Sequence, residues 1–328
     1  MRLRHGASSL AKLIIACAVF IGQYAIAQDA YPTRIVKLIV PYAAGGSTDA
    51  TARLFAQGVS TVLGHQVVVE NRPGANGLIG TESVARAPAD GYTLLFGPIA
   101  TNAIAGSLYT NLRYDPIEDF VAITEVARTP LLLVVGPSVP AKTLAEFQAH
   151  AKGVTKKLNY ASGGQGTASH IAAELFSRRV GVEMQHVPYK GSGLALNDVM
   201  GGHADVMFDS IATSLQNVRS GKLKALGIST ISRSAIAPEI PTLAEAGLPG
   251  FAIAWWFGLF APRGTPQSVV DKLATASVTV LGRPEVRAAF IGQGLEPVGS
   301  SPSEFGSKVV NEAESWGKII RDAGIRVE

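Results

Sequence analysis

The sequence predicts an α/β protein of two domains, each a mainly parallel sheet flanked by helices, with two strands crossing between them. Three observations carry that expectation. Short β-branched runs alternate with amphipathic segments from Arg34 onward. A glycine-rich phrase, "YAAGGSTDA" from Tyr42, returns as "YASGGQGTASH" from Tyr160. Two long apolar runs, "TPLLLVVGPS" from Thr129 and "WWFGLFAPRGTP" from Trp255, stand between the repeated parts.

"RIVKLIVP" reads as a strand, and the helix that follows puts Ala52, Phe55, Val59, Val62 and Leu63 near helical spacing. "QVVVEN" is a second strand, "NGLIGTESVARA" a helix and "YTLLFG" a third strand. Strands separated by helical crossovers run parallel and are covered on both faces. The second unit repeats the order: "KLNYAS", a glycine loop, a helix with Ile171, Ala172, Leu175 and Phe176 on one face, "VEMQHVP", a helix from Gly193 to Met200, and "ADVMFD". The two apolar runs are read as crossings. That gives domain 1 as 28–128 plus 255–328, regaining two C-terminal helices, and domain 2 as 129–254. Two sequential domains followed by a helical extension remain the alternative.

The 328 residues are 47% hydrophobic and 16% charged, with 35 Gly, which suits a folded α/β chain rather than a disordered one. Residues 1–27 have the form of a secretory signal: a basic start with Arg2, Arg4 and Lys12, the apolar run "LIIACAVFIG", and Ala25-Ile26-Ala27 before the cut. "IIAC" offers a lipoprotein reading, but Lys12 leaves only four apolar residues ahead of Cys17, and the apolar run continues past it. Without the signal, 26 basic residues face 25 acidic ones, a net of +1, so the basicity that would favour a nucleic-acid partner largely disappears. Cys17, the one cysteine, leaves with the signal. The mature chain then has neither a disulfide nor a thiol nucleophile.

A strand that ends in Gly-Gly and turns into a helix leaves amide donors without intrahelical partners at the positive end of the helix dipole. Glycine lets a ligand oxygen approach the backbone. Ser47 or Thr48, Ser162 and Thr167 add hydroxyls there. Such a turn suits a carboxylate or phosphate, although many α/β proteins use one with no ligand. Two such turns at the carboxyl ends of corresponding strands favour a binding role.

Sharper motifs fall short. "GQGTAS" from Gly164 lacks the third glycine of a dinucleotide fingerprint, and neither a phosphate-binding G-x-x-x-x-G-K loop nor a G-x-S-x-G elbow occurs. The histidines have no metal-binding spacing, so no cofactor or metal is expected. Near the loops, Asp49 reads as a helix N-terminal residue favoured by the dipole. His170 reads as a packing residue with a possible ligand role. Strand alternation gives Trp255 and Trp256 opposite faces, so that one could line a cleft.

The phrases "YPTRIVKLIVPYAAGGSTDATARLFAQ", "VVVENRPGANGLIGTESVARAPADGYTLLF", "LRYDPIEDFVAIT", "SGGQGTASHIAAELF", "GGHADVMFD" and "WFGLFAPRGTP" occur in that order over essentially the whole mature chain. Together they resemble the Bug-type (Bordetella uptake gene) extracytoplasmic solute receptors of tripartite tricarboxylate transporters. The resemblance implies a periplasmic binding protein of type II-like architecture. Such a protein takes a small carboxylate by hinge closure, passes it to integral-membrane permease subunits, and is not an enzyme. Carried over by motif, the ligand-binding positions are Tyr42, Ala44, Gly45, Thr48 and Thr101 in the first domain. In the second they are Ser162, Gly163, Gly166 and Thr167, with His170 and Asp209 closing the rim. One stretch departs from the family pattern: "TNAIAGSLY" has Asn102 where the family often has His, and Ala105-Gly106 in place of Asn-Pro. A monomer is the default for a receptor that must open and shut. The rival readings are a secreted hydrolase or esterase using Ser162 or Ser169 with His170, and a receptor that feeds a sensor kinase. Which carboxylate binds is not legible.

Overall fold

A computed structural model of the chain describes residues 31–164 and 167–323. The expected export signal, 1–27, lies outside them. In chain order the elements begin β1 (Val36–Val40), α1 (Ser47–Leu63), β2 (Val67–Asn71), α2 (Leu78–Ala85) and β3 (Thr93–Pro98). A π-turn at Ala100–Ile104 then runs into the short α3 (Ala105–Leu108). Next come β4 (Phe120–Val135), α4 (Leu144–Gly153), β5 (Leu158–Ser162), α5 (Ala168–Val180), β6 (Met184–Pro188), α6 (Ser192–Met200) and β7 (Val206–Ser210). The chain closes with α7 (Ile211–Arg219), β8 (Lys224–Ile228), β9 (Ala254–Pro262), α8 (Gln267–Leu281), α9 (Pro284–Gly292), β10 (Glu296–Pro297) and α10 (Pro302–Ala323).

The strands follow the order β2-β1-β3-β9-β4-β7-β5-β6, with β10 and β8 also paired to β4. Each βαβ unit pairs in parallel, as its apolar runs and crossover lengths require: β1 with β2 and β3, β5 with β6 and β7. β4 is the shared member. Its residues Phe120–Pro130 pair with β9, and Leu131–Val135 pair with β7. Pro130, which cannot donate to a ladder, stands where the partners change.

Helices cover both faces of each half. α1, α8 and α9 close over Val36, Leu38, Phe96 and Leu259, while α6 and α7 close over Leu132, Val134 and Met207. The third apolar cluster is continuous across the halves, from Phe305 and Trp316 of α10 through Trp256 to Phe176 of α5 and Phe208.

Two departures from the sequence reading stand out. β4 begins at Phe120 rather than Thr129, because Glu125 and Arg128 disguise its first half as surface. In fact the Glu125 side chain is 2% exposed and accepts from Arg128 Nε at 2.6 Å and from Lys308 Nζ at 2.7 Å. The helix expected from Asn76 begins at Leu78, because Gly74–Gly77 form a turn in which all four residues have positive φ (132°, 46°, 53° and 94°). Helices α4, α7 and α9 and strand β8 were not expected from the sequence.

Candidate functional site

The pairing pattern aims the carboxyl ends of the two sets of parallel strands at one another. β3 runs with β4, because each is antiparallel to β9, whereas β7 runs against β4. Pro98, at the end of β3, is level with Phe257 and therefore with Ala127 of β4. Ser210, at the end of β7, is level with Leu131. The four residue steps from Ala127 to Leu131 span roughly 13 Å at about 3.3 Å per step. The chain thus leaves β1 and β3 in one direction along the sheet, and leaves β5 in the opposite one.

In the first loop, Asp49 sits in the opening turn of α1 and points back. Its Oδ2 accepts from Gly45 N–H at 2.9 Å and from Arg53 Nε at 3.0 Å, and its Oδ1 accepts from Asn71 Nδ2 at 2.9 Å. Asn71 also donates to Tyr42 O at 3.1 Å, tying the loop to the end of β2. The hydrogen bond from Arg53, helped by Gly45 and Asn71, holds the Asp49 carboxyl at about 2 although burial opposes it. Gly77 lets Tyr42 and Thr101 meet: a Cβ there would lie 3.0 Å from Thr101 Cγ2 and 3.2 Å from the Tyr42 ring. Thr101 Oγ1 donates to Asn102 Oδ1 at 2.8 Å, and Tyr114 donates to Thr101 O at 2.9 Å. Burial, and then Tyr109, push the Tyr42 phenol up to about 12.

The second loop is held by different groups. Ser162 is fully buried; its Oγ lies 2.7 Å from His186 Nε2 and accepts from Gly164 N–H at 3.2 Å. Gly163 N–H donates to Ser169 Oγ at 3.0 Å, and Thr167 Oγ1 donates to Gly164 O at 2.7 Å. His186 packs against Tyr160, with ring centroids 4.8 Å apart, and against His170, at 4.2 Å, in a cluster of three nearly parallel rings. Tyr160 hydrogen-bonds Glu174. Burial, and then His170, lower the His186 imidazole to about 4, and burial lowers His170 as well.

These contacts revise several expectations. The amides of Gly45, Gly163 and Gly164 point into the loops' own clasps, because buried side-chain acceptors reach them first. His170 and Asp209, expected at the rim, are only 5% and 3% exposed. His170 is inside the ring stack, and Asp209 Oδ2 accepts from the Thr213 hydroxyl at 2.6 Å and the Ser214 hydroxyl at 2.5 Å, bracing α7. Burial raises the Asp209 carboxyl above its ordinary value. The imidazole on Ser162 belongs to His186 rather than His170, and Ser169 bonds within its loop, so the nucleophile pairs considered from sequence do not form. Ala44 is exposed, Thr48 is buried in the first turn of α1, and Gly166 lies outside the described residues. Trp256 is fully buried with Nε1 on Glu312 Oε2 at 2.7 Å, and Trp255 is half-buried. Sequence reasoning missed His186 and Asn71, whose parts depend on strand register.

By helix geometry, the donors without an intrahelical partner beside each loop are first-turn amides: Ser47 to Asp49 on α1, and Ala168 and Ser169 on α5. Among the described residues no group of three or more His, Cys, Asp or Glu is arranged to hold a metal ion. None of their helices is long and apolar enough to cross a membrane. Two surface grooves lie elsewhere. One, of about 580 Å³, runs between Leu175, Phe251 and Ile319, and the other, of about 510 Å³, lies around Tyr109 and Pro116.

Comparison with known proteins agrees with this architecture. Residues 51–325 match the tripartite tricarboxylate transporter family receptor. The chain is 35% identical over 325 residues to protein BugT of Bordetella pertussis, covering 98% of this chain and 100% of that one. Among solved structures it is similar to Rpa4515 of R. palustris with adipate, at 36% identity and TM-score 0.77, covering 90% of this chain and all of that one. It is also similar to MatC of Rhodopseudomonas palustris with bound malate, at 36% identity and TM-score 0.72, covering 88% and 100%. With the match extending over most of the chain, the protein belongs to the receptor family of the tripartite tricarboxylate transporters.

Proposed function

We propose that this receptor captures a small carboxylate in the periplasm and delivers it to its transporter's membrane permease, without chemical turnover. In this reading the lobes are 28–128 with 255–328, and 129–254, hinged at β4 and β9. One carboxylate group lies between the first turns of α1 and α5, near Tyr42, Ala44, Gly45, Thr48 and Thr101 on one side and Ser162, Gly163, Gly166 and Thr167 on the other. His170 and Asp209 support that wall from behind. The observation that carries the reading is the opposed direction of the two strand sets about β4. It turns two dipole-bearing helix N-termini toward a common gap. Relatives with adipate and with malate support the carboxylate class. Closure removes water and strengthens each charge-assisted N–H bond. The receptor acts as a monomer, exported through cleavage of residues 1–27.

Calorimetry on the mature protein with succinate, malate, adipate, glutamate and benzoate, and with glucose as a neutral control, tests the proposal. Binding of at least one acid and none of glucose is expected. Tight binding of glucose with no response to any acid refutes it. A ligand at 100 times its Kd also raises stability by about 2.7 kcal/mol, which a thermal shift detects.

A further inference from the structure

We infer that His186 is a positioning residue: acting through the Ser162 hydroxyl, it holds the second glycine loop in the form that leaves the first turn of α5 open to a ligand. The inference rests on the reading of that turn as one half of the carboxylate site.

A continuous line of contacts supports it. Tyr160 of β5 pairs with His186 of β6 in parallel register, so the imidazole lies two residues from the end of β5, beside Ser162. Nε2 is 2.7 Å from Ser162 Oγ, which accepts from Gly164 N–H at 3.2 Å. Gly164 O in turn accepts from Thr167 N–H at 3.3 Å and from the Thr167 hydroxyl at 2.7 Å, and Thr167 is the N-cap of α5. The line therefore runs from imidazole to hydroxyl to loop to helix N-terminus. It ends at the donors that a carboxylate would meet. Gly164 has φ of +127°, which glycine adopts readily, so the form of this turn is fixed by its hydrogen bonds rather than by its own backbone. The imidazole packs against both Tyr160 and His170, whose own rings are 6.3 Å apart, and Tyr160 is tied to Glu174, so its neighbours restrain its position.

The role calls for a ring that is neutral in the resting protein. A neutral imidazole either donates to the serine oxygen or accepts its proton, whereas a protonated one only donates. The titratable groups against it are Tyr160 on β5 and His170 and Glu174 on α5. Burial and the neighbouring His170 outweigh Glu174 and keep His186 uncharged down to acid pH. Ser162 Oγ also donates to Gly164 O at 3.2 Å, so the neutral ring donates through Nε2; protonation at the other nitrogen places a positive charge on that hydroxyl's partner, and Gly164 feels the change.

The test uses the mature protein labelled with ¹⁵N, together with His186→Ala, His186→Gln and Ser162→Ala. Loss of one buried hydrogen bond in this line should raise Kd about tenfold for whichever acid of the panel above the wild type binds. His186→Gln, whose side-chain amide can still reach the serine, should stay within roughly threefold. The double variant His186→Ala with Ser162→Ala should bind no more weakly than the worse single variant, as expected of residues acting in series. Independently of any ligand, the Gly164 amide resonance should follow the His186 ring through its titration with the same midpoint. The inference is overturned if Gly164 ignores that titration, if His186→Ala binds like the wild type, or if Ala and Gln variants lose affinity equally. Should no acid bind the wild type, the carboxylate reading fails, while the Gly164 titration still decides the part played by His186.

Discussion

Replacing Asp49 with Asn measures how far the first glycine loop rests on one carboxylate. The change keeps the side-chain shape but places an N–H among donors from Gly45, Arg53 and Asn71. Those donors, led by Arg53, hold the carboxyl at about 2, against an ordinary value of 3.8. A lowering of that size corresponds to about 2.5 kcal/mol, at roughly 1.36 kcal/mol per pH unit. Arg53 is 52% exposed, so water screens its share and the realised stabilisation is about 1–2 kcal/mol. The folded carboxyl titrates below its unfolded value. Its contribution is therefore complete above about pH 5, falls to roughly half by pH 3 and fades toward pH 2. Urea denaturation should place the Asn variant about 1–2 kcal/mol below the wild type at pH 7, with the gap halved near pH 3. Affinity for a panel acid should weaken in the same variant, because the loop loses the acceptor that clasps Gly45 N–H. Equal stabilities at pH 7, or a gap that does not shrink on acidification, would refute the reasoning.

The crossing between the halves offers two further tests. Glu125→Ala leaves Arg128 and Lys308 without their shared acceptor. Stability should fall by about 2–3 kcal/mol, read from thermal denaturation, with the partial exposure of both cations keeping the loss at that level. Trp256→Phe removes the indole donor from Glu312, whose carboxyl burial already raises. A folded value raised further means a penalty that grows as the carboxyl ionises, so the stability gap to the wild type should widen from acid to neutral pH. A gap that stays constant across that range would mean that Glu312 does not need the indole.

The fold was legible where periodicity decides it. Phe55 and Val59 mark a helix face, "RIVKLIVP" a buried strand, and the order of such segments a parallel sheet. That the strands of each βαβ unit end on one side also follows from that order. What escaped were features set by side chains that meet through register. Glu125 looks like solvent-facing alternation until Lys308, 183 residues later, arrives to neutralise it. His186 looks like one polar residue in "VEMQHVP" until β5 pairs beside it and brings Ser162 within reach. Asp49 was placed at a helix start, but its bond to Gly45 depends on how the loop folds back, which neither dipole nor propensity fixes.

The inward amides also alter what binding must accomplish. A free glycine turn samples many conformations, and a ligand that orders it loses affinity to that ordering. Here Asp49 and Asn71 order one turn, and Ser162, Ser169 and His186 order the other, before any ligand arrives. The clasps differ in charge. Beside the proposed anion site, the charge of the Asp49 carboxylate is offset by donation from Gly45, Arg53 and Asn71, whereas the hydroxyl and imidazole of the second loop carry no charge. On the proposed reading, binding strength is then set partly by residues that do not touch the ligand. Weakening either clasp should cost affinity while the first-turn donors, and every contact they make, stay chemically intact.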